Sequence, residues 1–185
     1  MSQEVSYSKD VIRDLIDGKL PWEITKRIIS DVKDSNRFDL YVEVLQERVG
    51  FQERILLPLT EHLYIVEKGD DRIVKCDCGH EYGDYRENWK LKALIDVMET
   101  EEELDQVYPG FAKPDAKVCE IRRYYCPGCG AQLETESVPR GYPILFDFLP
   151  DLDAFYQDWL GRPLPAKKEF KDLTCDFIQR SWANE

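Results

Sequence analysis

Two short cysteine motifs, far apart along the chain, restrict the fold more than any other feature of the sequence. Cys76-Asp77-Cys78-Gly79-His80 is the first and Cys126-Pro127-Gly128-Cys129-Gly130 the second. A C-P-x-C-G turn sets two thiolates on one side of a tight loop, and Gly130 lets the chain turn back; it is the knuckle of zinc ribbons and rubredoxin-like sites. C-x-C is tighter than C-x-x-C, but two cysteines two apart still chelate one ion if the residue between them bends the chain, and Gly79 helps. Cys78 and Cys126 are 48 positions apart. A compact ribbon uses about 15–20, so the intervening segment reads as an insertion between the knuckles.

Four thiolates match a closed tetrahedral Zn²⁺ site, structural rather than catalytic, because a catalytic zinc keeps an open position. The expected ligands are Cys76, Cys78, Cys126 and Cys129. Two alternatives stay open: His80 in place of Cys76 or Cys78, or a supporting role for it beside the site. Iron suits the same ligands, and spacing does not separate the metals. Four thiolates around Zn²⁺ leave a formal −2, which Lys75, Arg122 and Arg123 are placed to offset. Cys119 and Cys175 stand alone and read as tolerated thiols.

Composition limits the function classes. With 25 Lys plus Arg against 37 Asp plus Glu, the net charge of −12 argues against binding a phosphate backbone. Arg122-Arg123-Tyr124-Tyr125 is the one run that resembles a nucleic-acid platform; the plainer reading is a strand whose cations balance the thiolates. No apolar stretch approaches the ~20 residues of a spanning helix, and MSQEVSYSKD has no apolar signal region. A cytoplasmic protein is expected, with cysteines as thiols or metal ligands rather than disulfides. No H-E-x-x-H, P-loop, G-x-G-x-x-G or G-x-S-x-G occurs, and the only histidines are His62 and His80. No catalytic or cofactor-binding residue is therefore assigned.

Hydrophobic periodicity gives an α+β protein: a zinc-ribbon-like antiparallel β core with helical N- and C-terminal arms. The divisions are a helical arm over 1–52, a zinc-binding β domain over 53–149 and a helical arm over 150–185. Ser8 caps a first helix ended by Gly18, Pro21 opens a second, and Phe38, Tyr41, Val42, Leu45 and Val49 form the stripe of a third. Strands are expected over 54–58, 63–67, 72–75, 118–125, 132–138 and 144–148, with Gly69-Asp70-Asp71 as a hairpin loop. Lys90 to Met98 fits strand or helix. Thr100 to Glu103 forms a capping box. Asp151 starts a helix with Leu152, Phe155, Tyr156, Trp159 and Leu160 on one face. Beyond Pro163 and Pro165, Phe170, Leu173, Phe177, Ile178 and Trp182 form a last amphipathic stripe, which either is covered by the three N-terminal helices or, the preferred reading, docks in a groove of a partner.

Taken together the residues resemble the acetone carboxylase gamma subunit family. The likeness runs through Leu15-Ile-Asp-Gly-Lys-Leu20, Arg37-Phe38, Leu45-Gln-Glu-Arg-Val49, Ile55-Leu-Leu-Pro-Leu59 and Cys76-Asp-Cys-Gly-His80. It continues through Glu87-Asn-Trp-Lys-Leu91, Cys126-Pro-Gly-Cys-Gly130, Tyr142-Pro143, Asp147-Phe148 and Asp158-Trp-Leu-Gly161. The tail after Pro165 is longer than the family's. The resemblance implies a subunit of an alpha2beta2gamma2 heterohexamer that carboxylates acetone with bicarbonate and ATP to give acetoacetate; related complexes act on aromatic ketones. ATP and Mn²⁺ would then belong to the large alpha and beta subunits, with gamma supplying zinc and interface. The rival readings are a zinc-ribbon adaptor for nucleic acid or transcription machinery, and a self-standing metalloenzyme.

Overall fold

The computed structural model describes residues 6–32, 34–110 and 113–183; the first five residues, part of the N-terminal segment read above, lie outside it. Three helices come first. α1 (Lys9–Ile16) is capped by Ser8, whose hydroxyl accepts from the Val11 N–H, and Gly18 leaves it with φ +66°. α2 (Trp22–Ser30) starts after Pro21 and α3 (Arg37–Gln46) after Asn36. A four-stranded antiparallel sheet follows in chain order: β1 (Ile55–Pro58), β2 (Leu63–Lys68), β3 (Asp71–Cys76) and β4 (Glu81–Asp84). Lys68 pairs with Asp71, so the β2–β3 loop is the two residues Gly69-Asp70, one shorter than expected.

This sheet is covered on both faces, as its unbroken apolar runs require. Ile55, Tyr64, Val66 and Ile73 face Leu45 and the other apolar residues of α1 and α3. Leu56, Leu63, Ile65 and Val74 face the opposite way, into a larger core with Trp89, Tyr124, Leu133, Leu152 and Tyr156. The helical segments at both ends thus pack on this sheet. Tyr156 donates from its hydroxyl to the Leu56 carbonyl at 2.9 Å, and Phe38 meets Phe155 edge to face at 5.0 Å.

The ambiguous stretch divides in two. Trp89–Lys92 is a 3-10 turn capped by the Asn88 side chain, and β5 (Leu94–Met98) is a strand. β5 begins a second antiparallel sheet, β5-β6-β7, with β6 at Cys119–Tyr125 and β7 at Gln132–Pro139. Between β5 and β6, α4 (Glu101–Val107) carries the full capping box of Thr100 and Glu103.

Two expectations are corrected. Residues 144–148 form no strand. Pro143 and Pro150 flank the segment, and side chains hold it instead of a ladder: Lys90 Nζ reaches Asp147 at 3.2 Å, and Arg122 donates to the Tyr142 carbonyl. The C-terminal stripe of 152–160 is not continuous either. α5 (Leu152–Ala154) passes into a π turn over Phe155–Trp159, in which Leu160 N–H bonds to the Phe155 carbonyl. The wider turn keeps Tyr156 in the core but swings Trp159 out to 82% exposure. At the C-terminus, α6 (Thr174–Trp182) is tied to its own chain by polar contacts and buries none of its residues. Leu173 N–H bonds to the Arg86 carbonyl, Asn88 N–H to Thr174 Oγ1, and Arg180 pairs with Glu87 at 2.6 Å. Phe170 and Trp182 remain exposed.

Candidate metal centre

Each cysteine pair sits where one strand hands over to the next. Cys76 ends β3, and Cys78 stands in the turn into β4. Cys126 follows β6, and Cys129 precedes β7. The two turns share one design. Cys76 N–H bonds to the His80 carbonyl at 2.9 Å, and Gly79 N–H to the Cys76 carbonyl at 2.8 Å. In the second turn Cys126 N–H bonds to the Ala131 carbonyl at 2.9 Å, and Gly130 N–H to the Cys126 carbonyl at 2.8 Å. The first turn is the second with one residue removed, which is how C-x-C does the work of C-x-x-C. Gly79 and Gly130 take φ +97° and +74°, a region that side chains disfavour.

The fold brings the four predicted cysteines together. Their sulfur atoms all lie within 4.8 Å of one another, Cys76 being 3.9 Å from Cys129 and Cys78 3.7 Å from Cys126. A tetrahedron with metal–sulfur bonds of ~2.3 Å has edges of about 3.8 Å, so the spacing and the donor set both suit one Zn²⁺. Cys76 and Cys126 are buried, Cys78 and Cys129 exposed.

The surroundings add detail. Gly128 N–H points at Cys126 Sγ from 3.4 Å. A methyl group at Gly128 would stand 3.0 Å from His80 Cβ and 3.3 Å from Cys78 Sγ, so a side chain there would press on the first turn. The Tyr82 hydroxyl is buried without a hydrogen bond of regular geometry, and the group it interacts with is the Cys126 thiol. Burial pushes Cys126 up, but Tyr82 and the N–H groups of Cys129 and Gly128 outweigh it and bring the thiol down to about 7. Cys76 goes the other way, well above the usual thiol value, chiefly by burial. A metal bound here replaces these protons, since thiolate is the ligating form.

Other expectations shift. His80 is not among the clustered donors; its ring packs edge-on to Tyr82 at 4.9 Å. The cations expected to offset the thiolates are engaged elsewhere. Lys75 pairs with Glu53 at 2.6 Å and Glu81 at 3.3 Å, Arg122 with Glu120, and Arg123 with Asp96. Arg122 and Tyr124 are buried, so the run 122–125 offers no open basic platform. Cys119 and Cys175 lie apart from the cluster.

Sequence reasoning missed three participants. Tyr82, in β4, falls two residues beyond His80 and meets its ring, and period-two reading onward from the knuckle points to it. Asp77 was passed over as a spacer: its Oδ1 accepts from the Cys76 thiol at 3.2 Å, and its Oδ2 from His62 Nδ1 at 2.6 Å. His62 reaches it from the β1–β2 turn, a contact that no local pattern announces.

The family model described as acetone carboxylase gamma subunit matches residues 49–160. A curated relative, the acetone carboxylase gamma subunit of Xanthobacter autotrophicus, is 38% identical over 167 residues, covering 89% of this chain and 99% of that protein. The acetophenone carboxylase beta subunit of Aromatoleum aromaticum is 35% identical over 114 residues, or 60% of this chain and 80% of the other.

Proposed function

The chain belongs to the acetone carboxylase gamma subunit family, and from that membership we propose that it is the structural, zinc-holding subunit of an ATP-dependent ketone carboxylase. The observation that carries this reading is the four-sulfur cluster, complete in ligand number and matched to tetrahedral edges. Such a site ties segments together and offers no position to a substrate. We read it as a zinc ribbon divided between two sheets, Cys76 and Cys78 from one and Cys126 and Cys129 from the other.

In this proposal the ketone is acetone, joined to bicarbonate to give acetoacetate, and ATP and Mn²⁺ reside on the alpha and beta subunits of an alpha2beta2gamma2 complex. The helical segments over 1–52 and 150–185 flank the zinc-binding part over 53–149 and carry surfaces for those subunits. Phe170 and Trp182, exposed on the tail, and Trp159, turned out by the π turn, are the aromatic anchors such a contact would use. The complex is placed in the cytoplasm, where thiols stay reduced; no helix among the described residues is long and apolar enough to cross a membrane.

The test is co-expression with the candidate large subunits and purification through a tag on this chain. The expected result is a stable complex holding both large subunits, with ketone-dependent ATP turnover in the complex and none from this chain alone. Robust turnover by the purified chain, or failure to retain either large subunit, would overturn the reading.

A further inference from the structure

Four strands stand at the edges of the two sheets, β1 and β4 in the first, β5 and β7 in the second. Exposed edges are usually blunted by short length, charge, proline or side-chain cover. β1 is covered: its Ile55 N–H donates to Gln46 Oε1 at 2.9 Å, and its Leu56 carbonyl accepts from the Tyr156 hydroxyl at 2.9 Å. β4 is four residues long, and Lys92 Nζ donates to its Tyr82 carbonyl at 2.6 Å. β7 carries Glu134 and Glu136 and ends in Pro139.

β5 is the exception. Leu94-Ile-Asp-Val-Met98 has no lysine and no proline, and its one charge, Asp96, is tied to Arg123. β6 pairs with one edge of this backbone; among the described residues nothing bonds to the other. A strand paired on one side leaves alternate N–H and C=O groups pointing outward, and only another extended chain can meet them all. The side chains are open as well: Leu94 is 57% exposed, Ile95 37% and Val97 38%.

The pleat says what such a chain would carry, because neighbouring strands match side chains face by face. Ile95 and Val97 share one face and suit apolar neighbours. Asp96 lies on the other face, between Leu94 and the buried Met98, and suits a cation. The wider charge agrees. From Ala93 to Ala112 the sequence holds six carboxylates and no Lys or Arg, and among the described residues the cations paired with them are Arg123, Arg140 and Lys113. A second copy, with its own net charge of −12, is repelled from this edge.

We propose that β5 takes up an extended segment of another polypeptide as a further strand of the second sheet. The segment is apolar at alternate positions, beside Ile95 and Val97, and basic between them, beside Asp96. Nothing in this depends on which complex the chain enters.

The experiment adds the peptide Lys-Val-Lys-Val-Lys-Val-Lys, blocked at both ends, to the zinc-loaded full chain and follows amide hydrogen exchange. Exchange across 94–98 should slow saturably, with β7 unchanged. The peptide with Glu for every Lys should bind about tenfold more weakly or worse, through like-charge repulsion. A peptide with proline at the central valine should lose about as much, because it breaks the ladder. Ile95→Lys combined with Val97→Lys should weaken the first peptide by about tenfold; should that variant not fold, the two control peptides decide the matter on the unaltered chain. Unchanged exchange across 94–98, equal binding of either control peptide, or full affinity in the folded variant overturns the proposal. So does protection that needs no peptide and grows with the chain's own concentration, which would mark the edge as a contact between copies. Binding is read on the single chain, so failure here leaves the assembly reading intact, and a failure to assemble leaves the edge intact.

Discussion

Cys126→Ser is expected to cost the protein its metal and its soluble fold together. Cys126 is fully buried, closes the second turn through its N–H bond to Ala131, and faces both Tyr82 and Cys78. The cluster joins a four-stranded sheet to a three-stranded one. By analogy with a disulfide, closing a loop of 48 residues alone removes ~4 kcal/mol of unfolded-chain entropy. Structural zinc in small domains is worth on the order of 10 kcal/mol, comparable with the whole stability of a typical domain, about 5–15 kcal/mol. Elemental analysis should find metal well below one per chain, and the variant should partition into the insoluble fraction. A soluble variant with its full complement of zinc would remove Cys126 from the ligand set.

Lys90→Ala should destabilise the fold by about 3–5 kcal/mol. The Lys90 side chain is 1% exposed, yet its ammonium meets Glu134 at 2.6 Å, Glu136 at 3.2 Å and Asp147 at 3.2 Å, and lies 5.4 Å over the Tyr124 ring. Truncation leaves three carboxylates around a hole and frees the extended segment that Asp147 anchors. Urea unfolding monitored by tryptophan fluorescence would measure the loss; a change under 1 kcal/mol would show the network to be dispensable. The wild type should respond to alkali through the same group. Burial alone would lower the Lys90 pKa, but the bond to Glu134 and the charges of Glu134 and Asp147 outweigh it and hold it above the usual lysine value. A raised folded pKa means full stabilisation below the unfolded value of ~10.4, falling away as pH rises beyond it.

Local chemistry made much of this legible in the sequence. Ser8, Thr100 with Glu103, and Asp151 each cap the helix start that their side chains announce. The β2–β3 hairpin and the β6–β7 pair follow from short β-branched runs with glycine turns between them. The meeting of the four cysteines was legible because metal chemistry dictates the spacing within each pair. What stayed hidden depends on distant partners. β4 has the sequence Glu81-Tyr-Gly-Asp84, with no β-branched residue, and is a strand because β3 offers it a ladder. The π turn at Phe155 breaks a helical period that looked unbroken, since Phe155 and Tyr156 must both meet Phe38. The segment after Pro143 looked like a strand because apolar runs do not reveal that Lys90, over fifty residues earlier, will hold it by charge.

The division of the cysteines between two sheets also fixes an order in time. The first turn leaves the ribosome with Cys76 and Cys78 about fifty residues ahead of Cys126. At ~5–20 residues per second, two thiols wait some 2–10 s for their partners. The first sheet pairs only neighbours in sequence and can form during that interval, so the nascent chain presents a finished half-site that a two-coordinate soft ion, or an oxidant, can reach first. On the proposed zinc-holding role, capture of the ion would therefore belong to the last third of synthesis. A chain stalled before Cys126 should hold no zinc against a mild chelator, and the released chain should hold it fully; tight retention by the stalled chain would mean that the first turn recruits the metal on its own.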